Sequence, residues 1–385
     1  MSPRYALITD DAAFDDVLAQ LHEAPSYGVD TEFHRERTYY PQLALVQLAW
    51  REGERTQVVL VDPFSVDVRA LRPVLEGPGL ALLHAAEQDL LILERECGAL
   101  PTRLFDVQLA SAFLGKGTPS LGNLVQEVLG RELSKSAQLA DWTRRPLERA
   151  LLDYAASDVA HLHDLHEALQ DRLGSAGRLG WAEEENERLR RKPRGFPVPE
   201  EVWWKLKGKG KLKGGARGVA QAVGAWRERR AAERDLPPRS IMSDMALLQL
   251  AQRPPATTAD LDRLRDADRR RIRRGEADAV LAAVRKGKEL RGDALRLPPR
   301  PPRDLASPAA VTLAQAWVAQ VARREGIDPS ILATRDEVAR FARGAESRLA
   351  KGWRQELAGA DVAALLAGEV GLVLRDEALW LVDLP

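Results

Sequence analysis

Three runs decide the fold: SYGVDTEF (26–33), LALVQLAW (43–50) and TQVVLVDP (56–63). They are apolar and β-branched or aromatic, and polar or Gly-containing segments separate them. That pattern predicts three strands close enough to pair as an antiparallel meander. Upstream, the short apolar run from Tyr5 to Ile8 reads as a strand. Thr9 and Asp10 are good helix caps, and Phe14, Val17, Leu18 and Leu21 then recur at helical spacing. Downstream a helix follows at 68–75. ALLHA (81–85) reads as a strand and DLLILEREC (89–97) as a helix, and RLFDVQLASAFL (103–114) repeats the alternation. Strands interleaved with helices imply an α/β layer architecture around a mixed sheet. After Gly115 the pattern turns helical, with one long amphipathic run from Leu147 to Leu173.

At 385 residues with 45% apolar content the chain suits two to four domains. Its net charge of zero hides an asymmetry. Residues 1–180 carry 17 Lys+Arg against 27 Asp+Glu, whereas residues 201–300 carry 25 against 13. An acidic head joined to a basic middle suits an enzyme that handles a polyanion, and it equally suits a charged helical surface. The stretch 181–215 holds charge blocks, Pro and four Gly from 208 onward, which is linker composition with a basic end. Beyond it two helical stretches follow, one from 216 to about 290 and one from about 307 to the end, separated by LPPRPPRD. Each opens with a Trp-bearing helix (Trp226, Trp317) and a Pro-containing turn. The expected division is a catalytic domain at 1–195, a basic Gly/Lys linker at 196–215, and helical modules at 216–294 and 305–385.

Cys97 is the only cysteine, which excludes an internal disulfide and any cysteine-based zinc site. The N-terminal stretch has no apolar h-region, and no run reaches the roughly 18 apolar residues of a membrane span. These features point to a cytoplasmic protein with no membrane partner.

The chemistry lies in carboxylates. Asp30 and Glu32 are two apart on a strand and so share a face. Asp89 follows a strand and opens a helix, where a carboxylate either caps the helix or projects into a crevice. Tyr154 and Asp158 are four apart on a helix and point the same way. Taken singly, each has a plainer reading: an exposed strand face, a cap, a helix surface. Four carboxylates and a phenol together are what holding two divalent cations on a phosphodiester requires.

These residues sit within blocks that resemble the ribonuclease D branch of the DEDD 3′–5′ exonucleases. RTYYPQLALVQL, HAAEQDL, FDVQLAS, DWTRRPL and YAASDVAHL follow that family's order across about residues 5–175. Tyr154, four residues before Asp158, matches the tyrosine subclass; the histidine subclass would place His where Asp153 stands. The resemblance implies an RNase H-like mixed sheet flanked by helices. It implies Asp30, Glu32, Asp89 and Asp158 as ligands of two Mg²⁺ or Mn²⁺ ions, with Tyr154 orienting the attacking water. It implies a 3′–5′ exoribonuclease that trims structured RNAs such as tRNA precursors and releases nucleoside 5′-monophosphates. A DNA exonuclease and a non-catalytic RNA adaptor are the alternatives.

Phe33 and Tyr40 lie beside the first acidic pair, where they would stack on terminal bases or pack in the core. Lys209 and Lys211, in KLKGKGKLKGG, would grip phosphates or belong to a flexible linker. His161, His163 and His166 are expected to pack or face solvent rather than bind metal. Residues 216–292 resemble the HRDC domain, with LPPRSIMSDMALLQLAQRPPATTADL (236–261) as the matching block, and 307–385 look like a more diverged copy. Both are expected to be wholly helical. The first module's charge assigns RNA binding to it. The second carries two more acids than bases and is expected to pack against the catalytic domain of a monomer.

Overall fold

The structure, a computed structural model, describes residues 3–133, 140–263, 272, 275–299 and 307–384. Lys135, the arginine run between 269 and 274 and the LPPRPPRD linker from Arg300 onward lie outside the described residues. The chain divides into two compact units: 1–32 with 43–193 and 301–385, and 33–42 with 194–300.

The first unit opens with β1 (Ala6–Ile8) and α1 (Asp11–Glu23). Asp10 caps α1 by accepting from the Ala13 amide at 2.9 Å, and Phe14, Val17 and Leu21 form its buried stripe. Then come β2 (Ser26–His34), β3 (Gln42–Glu52), β4 (Arg55–Val61), α2 (Arg72–Leu75), β5 (Leu80–Leu83), α3 (Glu87–Glu96), β6 (Arg103–Asp106) and α4 (Val107–Ala112). The six strands form one sheet in the order β1-β4-β3-β2-β5-β6. β3 and β4 pair antiparallel, with Val46 opposite Val61; β2/β5 and β5/β6 are parallel, with Gly28 opposite Leu82 and Leu83 opposite Asp106.

Helices α5 (Leu121–Leu129), α6 (Arg149–Ala160), α7 (Leu162–Ser175) and α8 (Leu179–Arg191) complete this part. The expected single run from 147 to 173 is two helices broken at His161, whose backbone (φ −111°, ψ 3°) leaves the helical region. α8 also corrects the expected linker start. WAEEENERLRR is helical because Ala182, Glu185 and Asn186 turn inward, and the Asn186 side-chain oxygen accepts from the Asp106 amide at 2.7 Å.

The second unit contains α9 (Gly215–Glu233), α10 (Pro238–Ile241), α11 (Asp244–Gln252) and α12 (Ala277–Glu289). α9 and α12 cross almost backbone to backbone, since a Cβ added to Gly218 would lie 2.3 Å from the Gly287 carbonyl oxygen. The stretch expected to be a flexible linker is folded here as two short 3₁₀ turns, Pro199–Lys205 and Lys209–Lys211. Trp203, Leu206 and Leu212 are buried in the same core as Val219, Val223, Leu247 and Val284. Burial of these three apolar residues holds the segment while the five lysines between 205 and 213 stay exposed.

The C-terminal part of the first unit has α13 (Pro308–Glu325), α14 (Pro329–Leu332), α15 (Arg335–Ala342) and, after a helical lead-in of an α turn at Gly352–Arg354 and a π turn at Gln355–Gly359, α16 (Ala360–Ala367). It ends in an antiparallel hairpin, β7 (Val370–Arg375) and β8 (Ala378–Asp383). The module is therefore not wholly helical. Two alternating apolar runs meet at Asp376 and Glu377, both with positive φ (50° and 60°), the backbone of a tight two-residue hairpin turn.

This module shares the catalytic core. Trp353 stacks on Trp181 at 4.9 Å and meets Phe113 edge-on at 5.4 Å. Glu185 of α8, fully buried, bonds Arg354 at 2.5 Å, Arg188 at 2.8 Å and Arg348 at 3.1 Å. Arg354 also donates to the Ile331 and Leu332 carbonyls, so both ends of this buried pair are satisfied.

Candidate active site

Strand alternation sends Asp30 and Glu32 to one face of β2, the face covered by α6 and α7. Gly28 sets how closely those helices approach, since a Cβ there would lie 3.2 Å from Leu162 Cδ1 and 3.5 Å from the Val159 carbonyl. With that close approach, Asp158 reaches the carboxylates of β2. Asp30, Glu32 and Asp158 each offer an oxygen within 4.8 Å of the other two.

Asp89 joins them from α3. β2 continues past the end of its pairing with β5, and the Asp89 carboxylate takes over the unpaired edge. It accepts from the Thr31 amide at 3.1 Å and the Thr31 hydroxyl at 2.6 Å. Asp89 therefore projects from the first turn into the crevice and does not cap the helix, whose N-cap is Ala86 with no side-chain bond. The turn before α3 strains Ala85 to φ 59°. Asp106 holds it by accepting from the Ala85 and Ala86 amides at 3.1 and 2.9 Å while capping α4.

Tyr154, one helical turn before Asp158, donates its phenol to that carboxylate. Trp142 packs beside it, with ring centroids 6.2 Å apart. Arg145 anchors the DWTRRPL block by bonding Asp62 at 2.6 and 2.8 Å and the Ala44 carbonyl at 2.6 Å.

Among the described residues no Lys or Arg forms an ion pair with Asp30, Glu32, Asp89 or Asp158. Burial, and then repulsion from Asp89, Asp158 and Glu32, holds the Asp30 carboxyl well above its ordinary range. Burial with the same neighbours pushes Glu32 up to about 8. Burial raises Asp89 and Asp158 to about 7, against hydrogen bonds from Thr31 and Tyr154 that pull the other way. A cluster of hard oxygen donors with no protein counter-charge fits divalent cations.

Phe33, Tyr40, Lys209 and Lys211 lie in the second unit, and His161, His163 and His166 in the first. Phe33 is half-buried. Tyr40 packs edge-on against Phe196 at 4.7 Å and against Tyr39 at 4.9 Å. The Tyr39 phenol donates to Glu228 at 2.8 Å, and Asp235 accepts from the Tyr39 and Tyr40 amides. Lys209 donates to the Trp204 carbonyl, and Lys211 is exposed. His163 is buried beside the Ser26 carbonyl and His166 packs on Phe105. Sequence reasoning did not single out Thr31, Asp106 or Arg145. An Asp directly before a helix was the only available signal, at Asp106.

Residues 5–174 match the 3′–5′ exonuclease family, and residues 216–284 match the HRDC domain. Ribonuclease D of Bartonella henselae is 34% identical over 96% of this chain and 92% of its own length. The chain belongs to the ribonuclease D family. Ribonuclease D of Jannaschia sp. (strain CCS1) is likewise 34% identical, over 99% of this chain and all of its own. The crystal structure of Escherichia coli RNase D, an exoribonuclease involved in structured RNA processing, superposes with a TM-score of 0.82. It does so at 29% identity, covering 95% of this chain and 99% of that one. The catalytic core of RRP6 from Trypanosoma brucei shares the fold, with a TM-score of 0.60 over 74% of this chain at 23% identity. As a ribonuclease D the protein is a 3′–5′ exoribonuclease, and RNA is its partner. None of its described helices is long and apolar enough to cross a membrane.

Proposed function

We propose that this ribonuclease trims the 3′ ends of structured RNAs such as tRNA precursors, one nucleoside 5′-monophosphate at a time, as a cytoplasmic monomer. Asp30, Glu32, Asp89 and Asp158 hold two divalent cations, Mg²⁺ or Mn²⁺. The observation that carries this reading is the convergence of four carboxylates, Asp89 buried and the other three partly buried, with raised pKa values and no protein counter-charge among the described residues. Such cations, when bound, activate a water and neutralise the charge on the leaving 3′ oxygen.

The chain's own residues orient that chemistry. Thr31 fixes the rotamer of Asp89, and Tyr154 fixes that of Asp158. A phenol ordinarily titrates near pH 10 and is a poor base at pH 7, so Tyr154 aims the attacking water by hydrogen bonding and does not deprotonate it. Phe33 and Tyr40 stack on the terminal bases, and Lys209 and Lys211 contact phosphates of the RNA body. Support for the lysines is the excess of cations in residues 201–300, 25 against 13 acids. The domain scheme that goes with this reading is a catalytic domain at 1–195, a basic segment at 196–215, and helical modules at 216–294 and 305–385.

The test is a 5′-labelled tRNA precursor incubated with wild type and Asp30→Ala, with and without Mg²⁺. A ladder shortening from the 3′ end, only in wild type and only with metal, is expected. Tyr154→Phe should keep part of the rate, lowering kcat by about 10- to 100-fold. Equal cleavage by Asp30→Ala would overturn the assignment, and faster cleavage of matched single-stranded DNA would overturn the substrate class.

A further inference from the structure

Gln47, in the middle of β3, is fully buried, and neither its amide nitrogen nor its amide oxygen has a hydrogen-bond partner among the described residues. Buried polar groups in folded proteins are paired almost without exception, so a primary amide left open at both ends calls for a role.

Its position supplies one. A Cβ built on Gly28 would lie 3.5 Å from Ala49 Cβ, closer than diagonal neighbours in a sheet come, so Gly28 and Ala49 face each other across β2 and β3. The two strands are joined by the short segment 35–41 and run antiparallel. Counting two residues along each, in opposite directions, places Gln47 opposite Asp30 and on the same face. The flanking residues of that face, Leu45 and Ala49, share a core with Ala155, Ala156 and Val159 of α6, the helix that carries Asp158.

A pattern among the carboxylates points the same way. Asp89 receives a side-chain donor, the Thr31 hydroxyl, and Asp158 receives the Tyr154 phenol. Among the described residues Asp30 has no side-chain donor and only the Thr31 amide, which Asp89 shares, as a backbone one. Gln47 carries an unspent N–H₂ group at the strand position facing it.

We propose that Gln47 is a positioning residue for Asp30: in the cation-loaded site its amide donates to the Asp30 carboxylate, directly or through one water. This orients the oxygen that Asp30 presents to the cation. The proposal rests on the assignment of Asp30 as a cation ligand. Partners that orient a metal ligand in this way are worth about 10- to 100-fold in affinity or activity.

The experiment uses the full chain with Gln47→Met and Gln47→Leu, which keep the volume and remove the amide. Three readouts are compared with wild type: melting temperature without metal, Mn²⁺ affinity by titration calorimetry, and kcat and KM on single-stranded RNA. A residue that only fills space would leave metal affinity and turnover unchanged. The positioning role gives a metal-free melting temperature equal to or above wild type, because an unpaired amide has been replaced by an apolar group of similar shape. It gives Mn²⁺ affinity and kcat each lower by about 10- to 100-fold with KM unchanged. Either folded variant binding Mn²⁺ and turning over like wild type overturns the proposal, and so does failure of both to fold, which would make the amide a requirement of the fold. Asp30→Ala, run in parallel, separates the two levels. If it too binds Mn²⁺ and cleaves normally, the ligand assignment beneath the proposal has failed.

Discussion

The clustering of Asp30, Glu32, Asp89 and Asp158 carries a cost in stability that pH exposes. Each is raised in the folded protein above its unfolded value near 4, to about 8 for Glu32 and about 7 for Asp89 and Asp158. Folding therefore favours the protonated carboxyls. The stability they contribute is fully present below about pH 4 and is lost as pH rises through 7 to 8. Metal-free protein should lose melting temperature between pH 5 and pH 8, and Mg²⁺ added at pH 8 should restore it; a flat profile would contradict the charge clustering. Asp30→Asn removes one of the four charges, so at pH 8 without metal it should melt above wild type while showing no turnover. At this scale the sequence was informative about residue type and spacing, since Asp30/Glu32 and Tyr154/Asp158 each follow from one local period. It was silent on Thr31 and Gln47, whose roles depend on which strand lies alongside, and no local period encodes that.

Among the elements, α8 and the helical segment that carries Arg354 are held together by charge in a way that one substitution can expose. Glu185 is fully buried and Arg354 is 2% exposed. Arg354→Met would leave Glu185 with Arg188 and Arg348 but strip its most buried partner and the cap on the Ile331 carbonyl. Breaking a buried pair from one side costs about 3–5 kcal/mol, so urea unfolding of the first unit should shift by that order. Replacing Glu185 and Arg354 together by apolar residues should recover most of the loss. The neighbouring Glu337 is pulled down to about 2 by Arg348 and the Thr334 amide, despite the opposing effect of burial. Its contribution is present above about pH 4.5 and lost as pH falls through 2. Strand and helix order up to Gly115 was legible because each element carries its own period. The hairpin at 370–383 was legible in principle: LVL and ALWLV flank a two-residue polar turn, but the turn lacks the Gly or Asn that usually marks it. The fold of residues 199–212 was not legible, because lysines and glycines interrupt the anchoring apolar side chains and leave no regular period.

For the molecule as a whole, the decisive feature is that sequence order and core membership disagree. Residues 307–384 follow the HRDC segment in the chain, yet Leu332, Val338, Leu349 and Trp353 belong to the same core as Phe113, Leu165 and Ala182 of the catalytic part. The HRDC segment has a separate core built on Trp203, Val223, Leu247 and Val284. Cooperative unfolding follows cores and not chain order. Calorimetry of the intact protein should therefore resolve two transitions, and Mn²⁺ should raise only one of them, because a ligand stabilises the unit that binds it. Truncation after residue 306 tests the assignment from the other side. It strips Trp353 from Trp181 and Phe113 and leaves Glu185 without Arg354, so the metal-sensitive transition should be lost or fall sharply while the other persists. If the shortened chain keeps a metal-sensitive transition at the original temperature, the C-terminal module is an appendage and not part of the catalytic core.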